Sequence, residues 1–253
     1  NAIAIDFSGA DSGLVDVDAR GDLLLGGRIW NPGGLTQLTT TATAAGGPGD
    51  IVRAGETAMI TTQRLEMDAA GGIGIGGLGD MLATLTPGGS LVASASATGV
   101  ALDVWSDAAV NIVSGDATGG YGDVSLVANG NISGLAGYAA DIEGRDIDLE
   151  SRYGAIGSLA DPLQLRAHEI TRSDNSIDGG VVSANALNDI ALSDQSGDFW
   201  LAGAHSEAGD ARLESTSGAL LDATLRTSTD GLTEEHIRRI RQNLQLDGSG
   251  VAD

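Results

Sequence analysis

The sequence predicts an all-β fold, a parallel solenoid of about ten coils of about 22 residues, on three observations. The first is a set of short runs in which apolar and polar residues alternate between turn residues, the period-2 mark of half-buried strands. The second is an apolar position that recurs along nearly the whole chain at steps of 21 to 23 residues: Val17, Leu38, Ile60, Leu82, Val104, Leu126, Leu149, Ile170, Leu192 and Leu213. The third is composition. Gly supplies 39 of 253 residues and Pro only 4, apolar residues make up 42% and aromatics 3%. That is too apolar for a disordered acidic chain and too poor in rings for an ordinary enzyme core.

Each element follows from these signals. The clearest strands are Val124-Ser125-Leu126-Val127, Ile147-Asp148-Leu149-Glu150, Ile190-Ala191-Leu192-Ser193 and Ala211-Arg212-Leu213-Glu214. Gly-Asp pairs open several of them, at 21–22, 49–50, 122–123, 197–198 and 209–210. A second phrase recurs after amphipathic strands: Gly72-Ile73-Gly74, Gly130-Asn131-Ile132, Gly154-Ala155-Ile156-Gly157 and Gly218-Ala219-Leu220-Leu221. A rung of this size holds two or three short strands, each bonded to the rungs above and below at roughly 4.8 Å, giving a rod of roughly 50 Å. Stacked Ile, Leu, Val and Ala fill such a coil, Gly and Asn turn its corners, and Pro is scarce because nearly every strand N–H is needed. Asp146, Asp148 and Glu150 alternate with Ile147 and Leu149 and are expected to point outward. The solenoid is assigned to 1–231.

The pattern changes at 232–247. Thr233 is an N-cap candidate, Glu234 and Glu235 sit in the favourable first turn, and Ile237, Ile240 and Leu244 form one apolar stripe before Gly248. This predicts an amphipathic helix, either capping the exposed end of the coil or inserted between two stretches of a longer solenoid, followed by a tail at 248–253.

Charge narrows the function classes. Thirteen basic residues face 35 acidic ones, for a net charge of −22. This repels phosphate backbones and disfavours anionic membrane surfaces, and no apolar run is long enough to span a bilayer, so neither nucleic acid nor membrane insertion is expected. Without Cys there is no disulfide, thiolate metal site or Cys nucleophile. The start of the chain lacks Met and a basic leader, which points to a mature chain or an excised piece of a longer one.

The phrases at 122–134 (Gly-Asp-Val-Ser-Leu-Val-Ala-Asn-Gly-Asn-Ile-Ser-Gly), Tyr153-Gly154-Ala155-Ile156-Gly157-Ser158, Leu187-Asn188-Asp189-Ile190-Ala191-Leu192 and Ser217-Gly218-Ala219-Leu220-Leu221-Asp222-Ala223 resemble the repetitive regions of giant bacterial exoproteins of the filamentous-haemagglutinin type. The likeness is one of composition and cadence over most of 1–223. It implies a right-handed parallel β-helix, secretion to the cell surface or extracellular matrix, and a non-catalytic stalk, adhesive or filament role. The implied partners are flanking solenoid repeats, and surface glycans or proteins of a host or neighbouring cell. It carries over no catalytic residue.

Several constellations are weighed beside their plain readings. Arg20-Gly21-Asp22 spells an adhesive tripeptide, yet it also stands where a Gly-Asp strand opening belongs. No cofactor is expected; calcium is conceivable at stacked acids, with Asp146, Asp148 and Glu150 as candidates, against an ordinary solvated acidic face. Gly72-Ile73-Gly74-Ile75-Gly76-Gly77 lacks the βαβ context of a phosphate loop. Thr39, Thr41 and Thr43, with Thr61, Thr84 and Thr86, suggest a Thr ladder that lapses after three coils, as ordinary β-propensity would produce. His168, His205 and His236 form no triad or zinc spacing. The alternatives to a structural role are a polysaccharide-active β-helix, whose acids would be sought among Asp141, Glu143, Arg145, Asp146, Asp148 and Glu150, and a calcium-dependent self-assembling surface module.

Overall fold

The computed structural model describes residues 5–6, 13–42, 48–96, 98–115, 120–171 and 177–223, with no account of side chains at 5–6, 171 and 177–178. The end of the expected solenoid, the helix at 232–247, the tail, Thr43 and His236 lie outside the described residues.

Alternation decides the strands. In Asp123–Ala128 the residues Val124, Leu126 and Ala128 turn inward and are buried, while Asp123 and Ser125 face out. The strand pairs in parallel with Gly99–Val104 in the coil before and Ile147–Ser151 in the coil after. Val181–Ala186 and Phe199–Ser206 continue this first wall. A second wall runs from Leu14–Arg20 through the later halves of Arg28–Thr41, Met59–Ala69 and Met81–Ala95 to Ala108–Ser114. It continues through Ile142–Gly144, Leu163–Ala167, Ile190–Asp194 and Ala211–Ser215. A shorter ladder of Leu23–Leu25, Ile51–Arg53 and Ile73 merges into the first wall at Val100. The fold is a parallel β-solenoid of about 8 turns, with no helix among the described residues.

The coil count falls below ten because the coils are unequal. The coil from Ile147 to Val182 carries an inserted antiparallel hairpin, Glu169–Thr171 with Ile177–Gly179. The expected single column also divides. Val17 does stack on Leu38, Leu126 on Leu149, and Leu192 on Leu213. Leu38, however, meets Met67 in the next coil, while Ile60 belongs to the first wall above Ile29. Leu82 faces outward beside Asp103, Val104 stacks on Ala128, and Ile170 lies in the hairpin. Val104 and Leu126 thus occupy adjacent inward columns of the first wall, and Leu192 lies on the second. A constant step through coils of unequal length slips from wall to wall while often remaining on inward positions.

In the early coils one strand bends from the first wall into the second, and buried polar side chains satisfy the backbone at the bend. Asn31 Nδ2 donates to the carbonyls of Gly13 (3.1 Å) and Leu35 (2.9 Å), Thr62 Oγ1 to that of Gly34 (2.9 Å), and Thr36 Oγ1 to Thr62 Oγ1 (3.1 Å). A Cβ at Gly34 would lie 2.0 Å from the Gly13 carbonyl oxygen, so no larger residue fits this approach. The interior is filled by Ile, Leu, Val, Met and Ala, and among the described residues Phe199 is the one aromatic ring in it.

Candidate functional site

Three of the Gly-Asp phrases, those of Asp22, Asp50 and Asp198, are coil-to-coil clamps, and Asp107, Asn131 and Asp189 act in the same way. Asp22 Oδ1 accepts the N–H groups of Gly49 (3.2 Å) and Asp50 (3.1 Å) in the next coil, and Asp50 Oδ1 then accepts that of Gly72 (2.7 Å). At another corner Asp107 takes the N–H of Asn131 (2.7 Å) and Asn131 that of Ala155 (2.9 Å). Asp189 takes that of Asp210 (2.8 Å), and Asp198 that of Ala219 (2.8 Å). A glycine precedes nearly every such donor, because a Cβ there would strike the coil beneath: at Gly130 it would lie 2.1 Å from Asp107 Oδ1, and at Gly154 2.5 Å from the Asn131 nitrogen. A Ser-x-x-Gly turn recurs beside the clamps. Ser151, Ser206 and Ser215 each donate to a carbonyl one coil down and accept the N–H of the glycine three residues on.

Arg20-Gly21-Asp22 belongs to this system. Gly21 has φ 89° and donates its N–H to the Thr41 carbonyl (2.7 Å), and the Asp22 carboxylate holds the next coil. Arg20 is exposed at the end of its strand.

The acidic stretch behaves differently from the solvated face expected of it. Asp146 and Asp148 do leave the core side of their strand, yet both are buried. Asp146 accepts the Val181 N–H (3.0 Å) and lies 3.7 Å from the Arg145 guanidinium; Asp148 accepts the Ser183 hydroxyl. Val181, whose N–H Asp146 accepts, belongs with Ala202, Ala223 and Trp200 to a small apolar cluster separate from the main core. Glu150 lies 3.8 Å from Arg152. The three calcium candidates are thus turned to different protein donors, and no group of three or more potential ligands converges on one point among the described residues. Asp141 is at another corner, where its carboxylate accepts the Gln164 N–H (2.8 Å) and burial raises its pKa above the usual carboxylate value.

Next to the hairpin the structure assembles a cluster that the sequence reading held only in part. Arg145 grips Asp123 through two bonds (2.8 and 2.9 Å). His168 lies 2.9 Å from Glu143 and stacks face to face on Tyr121, ring centroids 3.7 Å apart, with Arg166 3.7 Å from Glu143. His168 is distant from both partners in sequence. The available signal was the register, since Glu143 pairs directly with Arg166 one coil on.

The Thr ladder divides between walls. Thr61 pairs with Thr84 on the first wall, whereas Thr39 meets Asp68 on the second. Thr61 and Thr84 are flanked by Trp30 below and Trp105 above.

An open groove of about 630 Å³ lies along the second corner ladder. Its floor is Asp107, Asn131, Ala155 and Asp189, four consecutive rungs, and its sides are the bend at 86–89 within the strand Met81–Ala95 and the loop at 157–161. Trp105 and Tyr153, 50% and 71% exposed, stand just outside its lining on the first-wall side, one residue before Ser106 and two before Ala155. No family model matches the chain, and no match was found among curated proteins or solved structures. No helix among the described residues is long and apolar enough to cross a membrane.

Proposed function

We propose that this chain is a non-catalytic structural and adhesive segment of a secreted or cell-surface bacterial protein, a stalk or filament module that stacks on further solenoid repeats. The observation that carries this reading is the use made of its acids. Asp22, Asp50, Asp107, Asp189 and Asp198 each bond a backbone N–H one coil away, and Asp148 bonds Ser183 across coils. Among the acids a polysaccharide-cleaving helix would draw on, Asp141 and Asp146 likewise accept backbone N–H groups of the next coil, and Glu143 faces His168. The cadence shared with filamentous-haemagglutinin-type repeats supports the same reading.

Small-angle scattering combined with turnover assays tests it. A rod with about 8 turns at roughly 4.8 Å has a coil axis of about 38 Å. The expected result is a rod-like scattering profile and no cleavage of uronic acid or neutral polymers. Release of reducing or unsaturated ends would overturn it. A rise in melting temperature with calcium beyond that with magnesium would favour calcium-dependent assembly instead.

A further inference from the structure

We infer that the groove between the strand bend at 86–89 and the loop at 157–161, with Trp105 and Tyr153 just outside its lining, binds an uncharged polysaccharide strand laid along the coil axis. The inference rests on the adhesive part of the function proposed above and names its ligand class.

Three features carry it. The first is shape. The floor advances one rung at each of Asp107, Asn131, Ala155 and Asp189, so it extends about 14 Å in a straight line. A linear polymer fits such a trough better than a compact metabolite does. The second is the pair of rings. Trp105 follows Val104, which stacks on Ala128 and then Ser151, so Arg152 stands two coils above Trp105, and Tyr153, one residue further on, lies about 10 Å along the axis and one position nearer the groove floor. Two exposed aromatic side chains spaced along one axis offer apolar platforms to the C–H faces of successive pyranose rings. The wall between them is fixed: Arg152 reaches down two coils to bind both oxygens of Asp103 (2.9 and 3.1 Å) and also bonds Asn129 (2.9 Å). The bond to Asp103 holds Arg152 charged, so the pair is internally neutral.

The third feature is polarity. The groove presents Ser106, Ser133, Ser158 and Asn131 together with the carboxylates of Asp107, Asp161 and Asp189, and contains no Arg. Asp107 and Asp189 spend one oxygen on the clamp and present the other to hydroxyl donors. A floor rich in acceptors and without a cation suits hydroxyl groups. It repels uronate, sulfate and phosphate polymers, as does the net charge of −22.

Native affinity electrophoresis of the full chain tests the inference, with gels containing hydroxyethyl-cellulose, galactomannan, xyloglucan or polygalacturonate. At least one neutral polymer should retard the protein, at low and high salt alike. Trp105→Ala and Tyr153→Ala should each weaken retardation by about tenfold, as expected for truncating an aromatic anchor. Tyr138→Ala, at an exposed ring that neither lines the groove nor stands within two residues of its lining, should leave it unchanged. The inference is overturned by absence of retardation in every neutral gel, by retardation confined to polygalacturonate, by retardation abolished by salt, by equal retardation of both groove variants and the parent, or by loss in Tyr138→Ala. Scattering on the same samples separates the two readings, since a rod that ignores neutral polymers removes the ligand and leaves the stalk.

Discussion

A carboxylate oxygen at a corner of this coil takes the place of a backbone carbonyl. Where the chain turns, strand bonding lapses, and each backbone N–H needs water or another acceptor in its place. Asp22, Asp107 and Asp189 supply the acceptor from the coil beneath, and the glycine before the donor lets the two backbones approach. Asp194 is a more buried version. It lies inward of the second wall, accepting the Ser196 hydroxyl (2.8 Å) and the Ala167 N–H (3.3 Å), and burial raises its pKa despite these bonds. A carboxyl whose pKa is higher folded than unfolded holds its proton more tightly in the native state. Its stabilising contribution is therefore complete below the unfolded value, near 3.8, and is lost as pH rises through the folded value. Asp194→Asn keeps the acceptor and removes the ionisation. Its melting temperature relative to the parent should climb as pH is raised from about 4 to neutrality; a difference constant across that range would contradict this account.

Among the elements, the first wall shows how a rung is tied to its neighbours. Leu102, Leu126 and Leu149 stack in consecutive coils, all fully buried, so removing the middle one opens a cavity that neither neighbour can close. Leu126→Ala should cost about 2–5 kcal/mol in a denaturant melt. Leu82 belongs to the same ladder of apolar residues in sequence but faces outward beside Asp103, so Leu82→Ala should cost well under half as much. Equal costs would restore the single column that the register denies. The hairpin inserted after Leu163–Ala167 illustrates a different freedom. Val182 still stacks on Ile147 across it, because a solenoid needs equal cross-sections and not equal coil lengths.

Over the whole molecule, a net charge of −22 is distributed along a narrow rod, and close carboxylates repel one another. Clamps and Arg pairs such as Arg145 with Asp123 offset part of this locally. Added monovalent salt screens the remainder, so the melting temperature should rise between low and moderate ionic strength and then level off. A fall over the same range would indicate that ion pairs outweigh repulsion. Coil stacking also makes each rung's stability depend chiefly on its neighbours.

The alternation of apolar residues and the Gly-Asp corners were legible in the sequence because each is set by local geometry: two residues per pleat, and a turn that only small residues make. That Asp22 and Asp50 mark corners could be read from the same phrases, although their bonding partners could not. Which apolar residues share a column was decided only by tertiary structure, since Val104 and Leu126, and Leu38 and Ile60, are separated by identical steps yet stack on other partners. The same holds for the burial of Asp146 and Asp148, the meeting of His168 with Glu143 and Tyr121, and the groove beside Trp105 and Tyr153. Each depends on how far one coil is offset from the next, a quantity fixed by insertions and bends that local sequence rules do not encode.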